Sequence, residues 1–327
     1  MKKAFFMMTI LTILVLCGTF AWAEPLIYLD FDMKPDMQMA SGDQYIIGWD
    51  ERGTSVTAIF AEAMGVTDGP DIKIPDGDGI NLPNTEGPQG GKAMIVESGG
   101  KEEGFNIEMS GPYHTGDYTI EICFWTSTDN LAGNNVGLQD MWSSDWPTGN
   151  VLTNTLRILG DGNGVSRPAD DKTLEMACWE ADGNELRVNS TSPITAQTWH
   201  TAQFVFDYNE SDPANCSFAM YLDGTLQGSQ TYNATITGGG GESFERFWPI
   251  YGTPATGGAR DAIGGWRFGL GISMNRQISF TDNRGLQGAI DAFCISEGAL
   301  SPGAFVLPAG FSPPPPTSSD TIWTVYE

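Results

Sequence analysis

The chain has 327 residues, with 41 acidic and 16 basic side chains and a formal net charge of −25. Such acidity repels nucleic acid and anionic membrane surfaces, so the composition argues against both as partners. The scarcity of Lys and Arg, together with 41 glycines and 19 prolines, suits an all-β protein that is rich in loops.

The chain begins with the features of an export signal. Lys2 and Lys3 precede an apolar run over 4–16, and a small-residue cleavage site ends at Ala23. The apolar run is too short to span a bilayer, and cleavage after Ala23 is preferred to lipid anchoring at Cys17. We therefore expect the mature chain to be secreted, periplasmic or displayed at the cell surface, with no membrane span.

Alternating apolar and polar residues predict a succession of β-strands. In chain order, the predicted strands cover 26–32, 93–97, 105–109, 117–125, 156–159, 174–179, 185–188, 200–207, 217–222, 266–272 and 285–295. Residues 33–92 are expected to hold short strands and long loops, with one or two helical turns at 57–64. Residues 127–150 are expected to form a loop, and no internal repeat is evident.

The clearest pattern is a hairpin near the middle of the chain. Asp223-Gly224 supplies the left-handed pair that a tight hairpin turn requires. One face of its two strands is apolar and is expected in the core; this face carries Phe204, Phe206, Phe218, Met220 and Leu222. His200 lies on the same face, which predicts a packed, hydrogen-bonded histidine.

Several stretches, in a consistent order, resemble the motifs of a known family. Residues 117–125 (DYTIEICFW), 199–207 (WHTAQFVFD), 220–224 (MYLDG), 285–295 (GLQGAIDAFCI) and 299–302 (ALSP) resemble those of LamG-like jelly rolls. These belong to the concanavalin A-like lectin/glucanase superfamily. The resemblance implies an all-β, concanavalin A-like jelly-roll β-sandwich of two antiparallel sheets.

The expected organisation has three parts. A signal peptide covers 1–23, one LamG/concanavalin A-like domain covers 24–310, and a Pro-rich disordered tail covers 311–327.

Four cysteines remain after signal cleavage, which permits two disulfides with three possible connectivities. They are Cys123, Cys178, Cys216 and Cys294. The resemblance favours a bridge between Cys123 and Cys294, because jelly rolls often place these two strands side by side. The alternative is that all four are unpaired, buried small hydrophobes.

One acidic motif raises the possibility of catalysis. Glu180, Asp182 and Glu185 have the E-x-D-x-x-E spacing of family-16 glucanases, in which two carboxylates attack and protonate a glycosidic bond. However, the intervening Asp-Gly-Asn sequence favours a turn, so the acids would splay around a hairpin tip. With only two histidines, His114 and His200, the sequence offers little other catalytic hardware.

The resemblance also suggests a metal site. Many members of the superfamily carry a structural Ca²⁺ where the first and last strands meet, which would bring Asp32 and Asp291 together. Two close carboxylates are costly unless a cation neutralises them. The alternative is that Asp291 accepts backbone N–H groups.

Aromatic residues in predicted loops are candidates for ligand binding. Trp142, Trp146, Trp248 and Tyr251 are grouped in this way, whereas Trp125, Trp179, Trp199 and Trp266 fall on predicted strands and are expected in the core. An exposed indole stacks on the apolar face of a sugar ring. Packing of these loops against the body of the domain is the alternative.

The sequence therefore predicts an exported, non-catalytic β-sandwich that binds a polysaccharide or a cell-surface glycan. The alternatives are a structural or adhesive surface protein without a small ligand and, remotely, a glycoside hydrolase.

Overall fold

The structure is a computed structural model. It describes residues 25–29, 31, 37–38, 44–50, 55–60, 71–77, 83, 86–96, 105–109, 117–127, 136–143, 151–159, 172–179, 185–233, 266–270 and 286–307.

The described residues are almost entirely β-structure. The strands are β1 (Pro25–Leu29), β2 (Met37–Gln38), β3 (Gln44–Asp50), β4 (Ser55–Phe60), β5 (Asp71–Lys73), β6 (Ala93–Val96), β7 (Phe105–Met109), β8 (Tyr118–Thr126), β9 (Val136–Ser143), β10 (Val151–Ile158), β11 (Leu174–Trp179), β12 (Glu185–Asn189), β13 (Trp199–Asp207), β14 (Cys216–Leu222), β15 (Thr225–Tyr232), β16 (Trp266–Leu270) and β17 (Gly288–Glu297). Within this part of the chain, no helix has the length and apolar character that a membrane crossing requires.

The strands form two antiparallel sheets packed face to face. The first sheet runs in the order β15-β14-β13-β8-β17-β6-β5-β2. The second runs in the order β3-β4-β7-β16-β9-β10-β11-β12. Strand β1 pairs with β17 on one side and with β3 on the other, so hydrogen bonding continues from one sheet into the next. The predicted all-β sandwich of two antiparallel sheets is confirmed.

The core lies between the sheets and receives side chains from both. Tyr118, Phe124 and Phe206 come from the first sheet, and Leu174 and Met176 come from the second. The predicted core positions of β13 and β14 are confirmed. Four of these side chains are at most 3 % exposed: Phe204, Phe206, Phe218 and Met220. Leu222 is partly buried and packs against the same cluster. Burying each large apolar side chain contributes about 1.5–3 kcal/mol to folding.

The tight turn predicted at Asp223-Gly224 is present and joins β14 to β15. Asp223 and Gly224 have φ values of 50° and 74°, and Leu222 pairs with Thr225 directly across the turn. Both central residues thus adopt the left-handed conformation that matches the twist of a two-residue hairpin.

Two predictions of local structure were wrong. Residues 57–64 were expected to contain helical turns, but β4 covers Ser55–Phe60 and pairs with β3 and β7. Residues 127–150 were expected to form a loop, but they contain β9, which pairs with β10 and β16. In both cases, pairing with a strand on each side decides the conformation, and local sequence does not report such pairing.

The cysteines do not form the expected bridge. Cys123 and Cys294 are buried free thiols, and Cys216 is also buried. Cys123 lies opposite Ala292 and Cys294 lies opposite Glu121, so the two cysteines are diagonal neighbours on β8 and β17. Diagonal positions are about 7–8 Å apart, beyond the usual Cα separation of a disulfide. The placement on adjacent strands was right, whereas the predicted Cys123–Cys294 disulfide was wrong.

A segment after β17 covers the outer face of the first sheet. Residues 298–307, here called the C-terminal strap, contain a 3₁₀ turn at Pro302–Ala304 and end in three buried residues, Phe305, Val306 and Leu307. Val306 and Leu307 pack on Cys123, Ala292 and Cys294, on the side of the sheet away from the main core.

Candidate functional site

The pairing register brings four tryptophans to one end of the second sheet. Trp49 is the next-to-last residue of β3, Trp142 is the next-to-last of β9, Trp179 ends β11, and Trp266 begins β16. We call this end of the sheet, with these four residues, the tryptophan edge.

The register places the four positions within one residue of a common level, with Trp49, Trp142 and Trp179 on one face of the sheet and Trp266 on the other. Trp142 lies opposite Arg267, the residue after Trp266. On its other side Trp142 lies opposite Leu152, and Asn154 lies opposite Cys178, the residue before Trp179.

The row extends to the other side of the sheet through β7 and β4. Trp266 lies opposite Met109, the last residue of β7, and Trp49 lies opposite Ser55, the first residue of β4. Six inter-strand steps separate β3 from β11, which corresponds to about 30 Å at the usual strand spacing.

The predicted binding residues relate to this edge in different ways. Trp142, expected in a loop, lies in a central strand, and that correction follows from the β9 pairing. Trp146, Trp248 and Tyr251 lie outside the described residues. The chain leaves β9 at Ser143 and returns at Val151, its pairing partner, so the short connection that carries Trp146 starts and ends at the tryptophan edge.

The acidic motif also borders this edge. Trp179 pairs with Glu185, so β11 and β12 form the predicted hairpin around residues 180–184. Glu185 is the first residue of β12, while Glu180 and Asp182 lie outside the described residues. The expectation that these three acids do not share one continuous strand face stays a prediction.

A charged cluster lies further along the same strands. Glu175 of β11 is fully buried on the face opposite Leu174 and Met176. Its Oε1 accepts a hydrogen bond from Nε of Arg157 (2.7 Å) and its Oε2 accepts one from Nη1 of Arg187 (3.5 Å). Removing one partner of such a buried pair leaves an uncompensated charge, so the cluster ties β10, β11 and β12 together.

His200 is the packed histidine that the sequence predicted. It is 7 % exposed, its Nδ1 lies 2.8 Å from Oδ2 of Asp223, and its Nε2 lies 2.9 Å from the carbonyl oxygen of Thr195. Burial alone would lower the pKa of His200, but hydrogen bonds to Asp223 and Thr195 outweigh burial and leave this pKa raised. Both ring nitrogens face acceptors, which favours the imidazolium form and directs neither nitrogen to a substrate.

Of the two expected metal ligands, Asp291 is described and Asp32 is not. Asp291 is fully buried in β17, and its Oδ2 accepts a hydrogen bond from the backbone N–H of Gln89 (2.8 Å). Its carboxyl group lies against Gly87, where a side chain would collide with it. Among the described residues, no group of three or more His, Cys, Asp or Glu side chains is arranged to hold a metal ion.

Trp125 and Trp199 lie side by side on β8 and β13 of the first sheet. Trp125 is 4 % exposed, as predicted for a core residue, and Trp199 is half-buried against it. The sequence analysis did not single out Trp49; it placed Trp179 and Trp266 in the core, and that placement stays a prediction. The available signal was that each lies within one residue of a strand terminus; the register that aligns them comes from the structure.

Comparisons with known proteins give no family. A scan against family models found no match, and neither did a search of curated proteins.

Solved structures give distant similarity in fold. A heptameric SAP-like pentraxin from Limulus polyphemus is 11 % identical (TM-score 0.40), with 67 % of this chain and 83 % of that chain covered. Domain 4 of the arabinanase AbnA from Geobacillus stearothermophilus, in complex with arabinotriose, is 14 % identical (TM-score 0.40; 86 % and 96 % covered). An endo-β-1,4-glucuronan lyase from Trichoderma reesei is 9 % identical (TM-score 0.39; 84 % and 95 % covered). The chain spans 49 % of the botulinum neurotoxin type G receptor binding domain. At these identities and TM-scores, the similarity says nothing about what this chain binds.

Proposed function

We propose that the protein is an exported, non-catalytic carbohydrate-binding β-sandwich and that the tryptophan edge holds an extended glycan chain. The observation that carries the proposal is that the register places Trp49, Trp142 and Trp179 on one face of a single sheet, at the same end of their strands. Indole rings stack on the apolar faces of sugar rings, and a row of them suits a polymer better than a single sugar.

The length of the row narrows the ligand class. A row of about 30 Å across neighbouring strands is longer than any mono- or disaccharide. Most binding energy at such sites comes from a few anchors, so anchors at separate points require a ligand that reaches all of them. The proposal is therefore a polysaccharide bound along its chain, and affinity should increase with oligosaccharide length.

The first prediction concerns the anchors at this edge. After a glycan array identifies a bound polysaccharide, Trp142→Ala and Trp146→Ala should each weaken binding by about tenfold or more, because each removes a stacking surface. Trp142→Phe, which retains an aromatic ring, should lose much less. Affinity electrophoresis in gels containing the polysaccharide measures the change, and melting temperatures verify folding.

The matched control is Leu226→Ala, which removes an exposed apolar side chain from β15 of the first sheet and should leave binding unchanged. Normal retention of both tryptophan-to-alanine variants would contradict the site and favour an adhesive scaffold, which would spread contact over a broad face. Release of reducing ends from the bound polysaccharide, abolished by Glu180→Gln, would instead identify a hydrolase.

We also propose that a structural Ca²⁺ binds at Asp291. The supporting observation is a carboxylate that is fully buried against the glycine-rich segment 86–91, whose backbone carbonyls are suitable oxygen ligands. Asp32, which follows β1 after Phe31, would supply a second carboxylate. The hydrogen bond from Gln89 is the competing explanation for the burial, and the ion would add to it.

The second prediction tests this ion. EDTA should lower the melting temperature of the mature protein, and added Ca²⁺ should restore it. A hundredfold excess over the dissociation constant would stabilise the fold by about 2.7 kcal/mol. The Asp291→Asn variant keeps an acceptor for Gln89 and should lose the calcium response; NaCl at matched ionic strength serves as the control. A full calcium response in Asp291→Asn would exclude this site.

A further inference from the structure

The C-terminal strap is held by a buried carboxylate of the first sheet. Glu121 of β8 is fully buried; its Oε1 accepts the backbone N–H of Val306 (2.9 Å) and its Oε2 accepts that of Leu307 (2.8 Å). Next to it, Nε2 of Gln203 donates to the carbonyl oxygen of Leu307 (2.7 Å). Three hydrogen bonds therefore hold the last two residues of the strap on the sheet.

The beginning of the strap is fixed separately. The Thr119 hydroxyl donates to the carbonyl oxygen of Gly298 (2.8 Å) and accepts the N–H of Leu300 (3.0 Å). Between these two attachments, Ser301, Pro302 and Gly303 are exposed. A segment with exposed residues between two attachments opens locally at lower free energy than the strands beneath it.

The strap brings no charge of its own to Glu121. Residues 298–307 contain no ionisable side chain. Across the sheet, Glu121 faces Gln203 on β13 and Cys294 on β17, with Cys123 two residues along β8 on the same face. Tyr221 and Tyr28 occupy the next strands outward. Burial raises the pKa values of both cysteines well above their usual value, so these thiols stay neutral near pH 7.

We propose that the C-terminal strap is a pH-sensitive latch, which closes over the outer face of the first sheet when Glu121 is protonated and opens when Glu121 ionises. With the strap closed, an ionised Glu121 would be a buried charge facing no cation among the described residues around it. When the strap opens, water reaches the carboxylate and removes that cost. In the closed state, burial favours the protonated form of Glu121, whereas the N–H groups of Val306 and Leu307 favour the ionised form. Because burial has the larger effect, the release of one proton is coupled to the release of one segment.

The direction of the pH dependence follows from linkage. Burial raises the pKa of Glu121 to about 7, against the opposing effect of the hydrogen bonds from Leu307 and Val306. Once the strap opens, the pKa of the Glu121 carboxyl returns towards its ordinary value near 4.5. Between these two values, opening releases a proton. The ratio of open to closed protein therefore rises by at most about tenfold per pH unit and levels off above pH 7.

An open strap would expose a group of polar and thiol side chains on the outer face of the first sheet. The face beneath contains Glu121, Gln203 and Cys294, all fully buried when the strap is closed. Gln203 Oε1 is buried without a hydrogen-bond partner among the described residues. Burying this unpaired oxygen costs free energy and so makes closure of the strap less favourable. This inference does not depend on the tryptophan edge, which belongs to the other sheet.

The third prediction is measured by amide hydrogen exchange on the mature protein. Protection factors of the Val306 and Leu307 amides, normalised to unstructured amides at each pH, should fall several-fold or more per unit between pH 5 and 7 and then level off. The Ala202 and Phe204 amides of β13 are the internal control and should change much less. In Glu121→Gln, which cannot ionise, the protection of the strap should no longer depend on pH.

A second variant keeps the test available if Glu121→Gln fails to fold. Val306→Pro removes one N–H that Glu121 accepts and alters only the strap; Phe305 already has the extended conformation that a following proline requires. Protection of Leu307 should then be lost at every pH. A pH-independent protection of Val306 and Leu307 in the wild type, or a wild-type profile in either variant, would overturn the latch.

Discussion

Asp223 has two structural roles: its backbone forms a tight turn, and its side chain pairs with His200. Its φ of 50° places it in the left-handed region at the β14–β15 turn. Its Oδ1 accepts the N–H of Thr201 (2.9 Å), and its Oδ2 contacts Nδ1 of His200 (2.8 Å). The Trp-His and Leu-Asp-Gly sequence motifs therefore belong to one structural unit, because the aspartate of one contacts the histidine of the other.

This arrangement leads to the fourth prediction. The pKa of His200 is higher in the folded protein, so the stabilisation from its charged form is complete at low pH and is lost as pH rises through that raised pKa. Asp223→Asn preserves the turn and the acceptor for Thr201 but removes the negative charge. It should cost about 1–2 kcal/mol near pH 5.5 and distinctly less near pH 8.5.

Urea unfolding of the wild type and Asp223→Asn at the two pH values provides the measurement. His200→Gln is a suitable companion, because it removes the titrating group itself and should flatten the same pH dependence. Equal destabilisation of Asp223→Asn at both pH values would show that the turn, and not the ion pair, determines its effect.

At the level of strands, alternation predicted those that have one apolar face and a clear turn beside them. The bounds predicted for β7 and β11 are those observed, and β13, β14 and β17 were located to within a few residues. Strands β4 and β9 were missed, because what makes them strands is pairing on both sides. Such partners lie far away in sequence, as β7 and β16 do for these two strands.

The candidate site was less predictable than the strands. Trp142 was proposed as a binding residue because it was expected in a loop, whereas it lies in strand β9. The alignment of Trp49 with Trp142 depends on the registers of β3, β4, β7, β16 and β9 together, and a slip of one residue in any pair would move one of the two to the other face. Local sequence constrains each register only weakly, so an aromatic row across several strands appears only in the assembled sheet.

For the molecule as a whole, the dominant electrostatic fact is the excess of acidic side chains, 41 against 16 basic ones. This excess opposes compaction through self-repulsion, which mobile ions screen over about 30 Å at 0.01 M and about 10 Å at 0.1 M. The fifth prediction is therefore that NaCl raises the melting temperature, most steeply at low ionic strength. The effect should be larger at pH 8 than at pH 5, where carboxylates begin to protonate.

Differential scanning fluorimetry in buffered NaCl series at the two pH values, with EDTA present throughout, separates screening from any effect of Ca²⁺. A melting temperature that is independent of NaCl, or that falls as NaCl increases, would show that paired charges such as the Glu175 cluster outweigh the general repulsion.

The pairing of β1 with β17 constrains when the molecule can fold. Leu29 lies opposite Phe293, and β17 also fills the place between β8 and β1, so neither neighbour is completed until nearly the whole chain is available. Contacts that join distant parts of a sequence slow folding, because the intervening chain must be ordered first. A chain emerging from its N-terminus would therefore remain without its central strand until Gly288–Glu297 has been synthesised. A product truncated before Gly288 would leave the edges of β8, β6 and β1 open to aggregation.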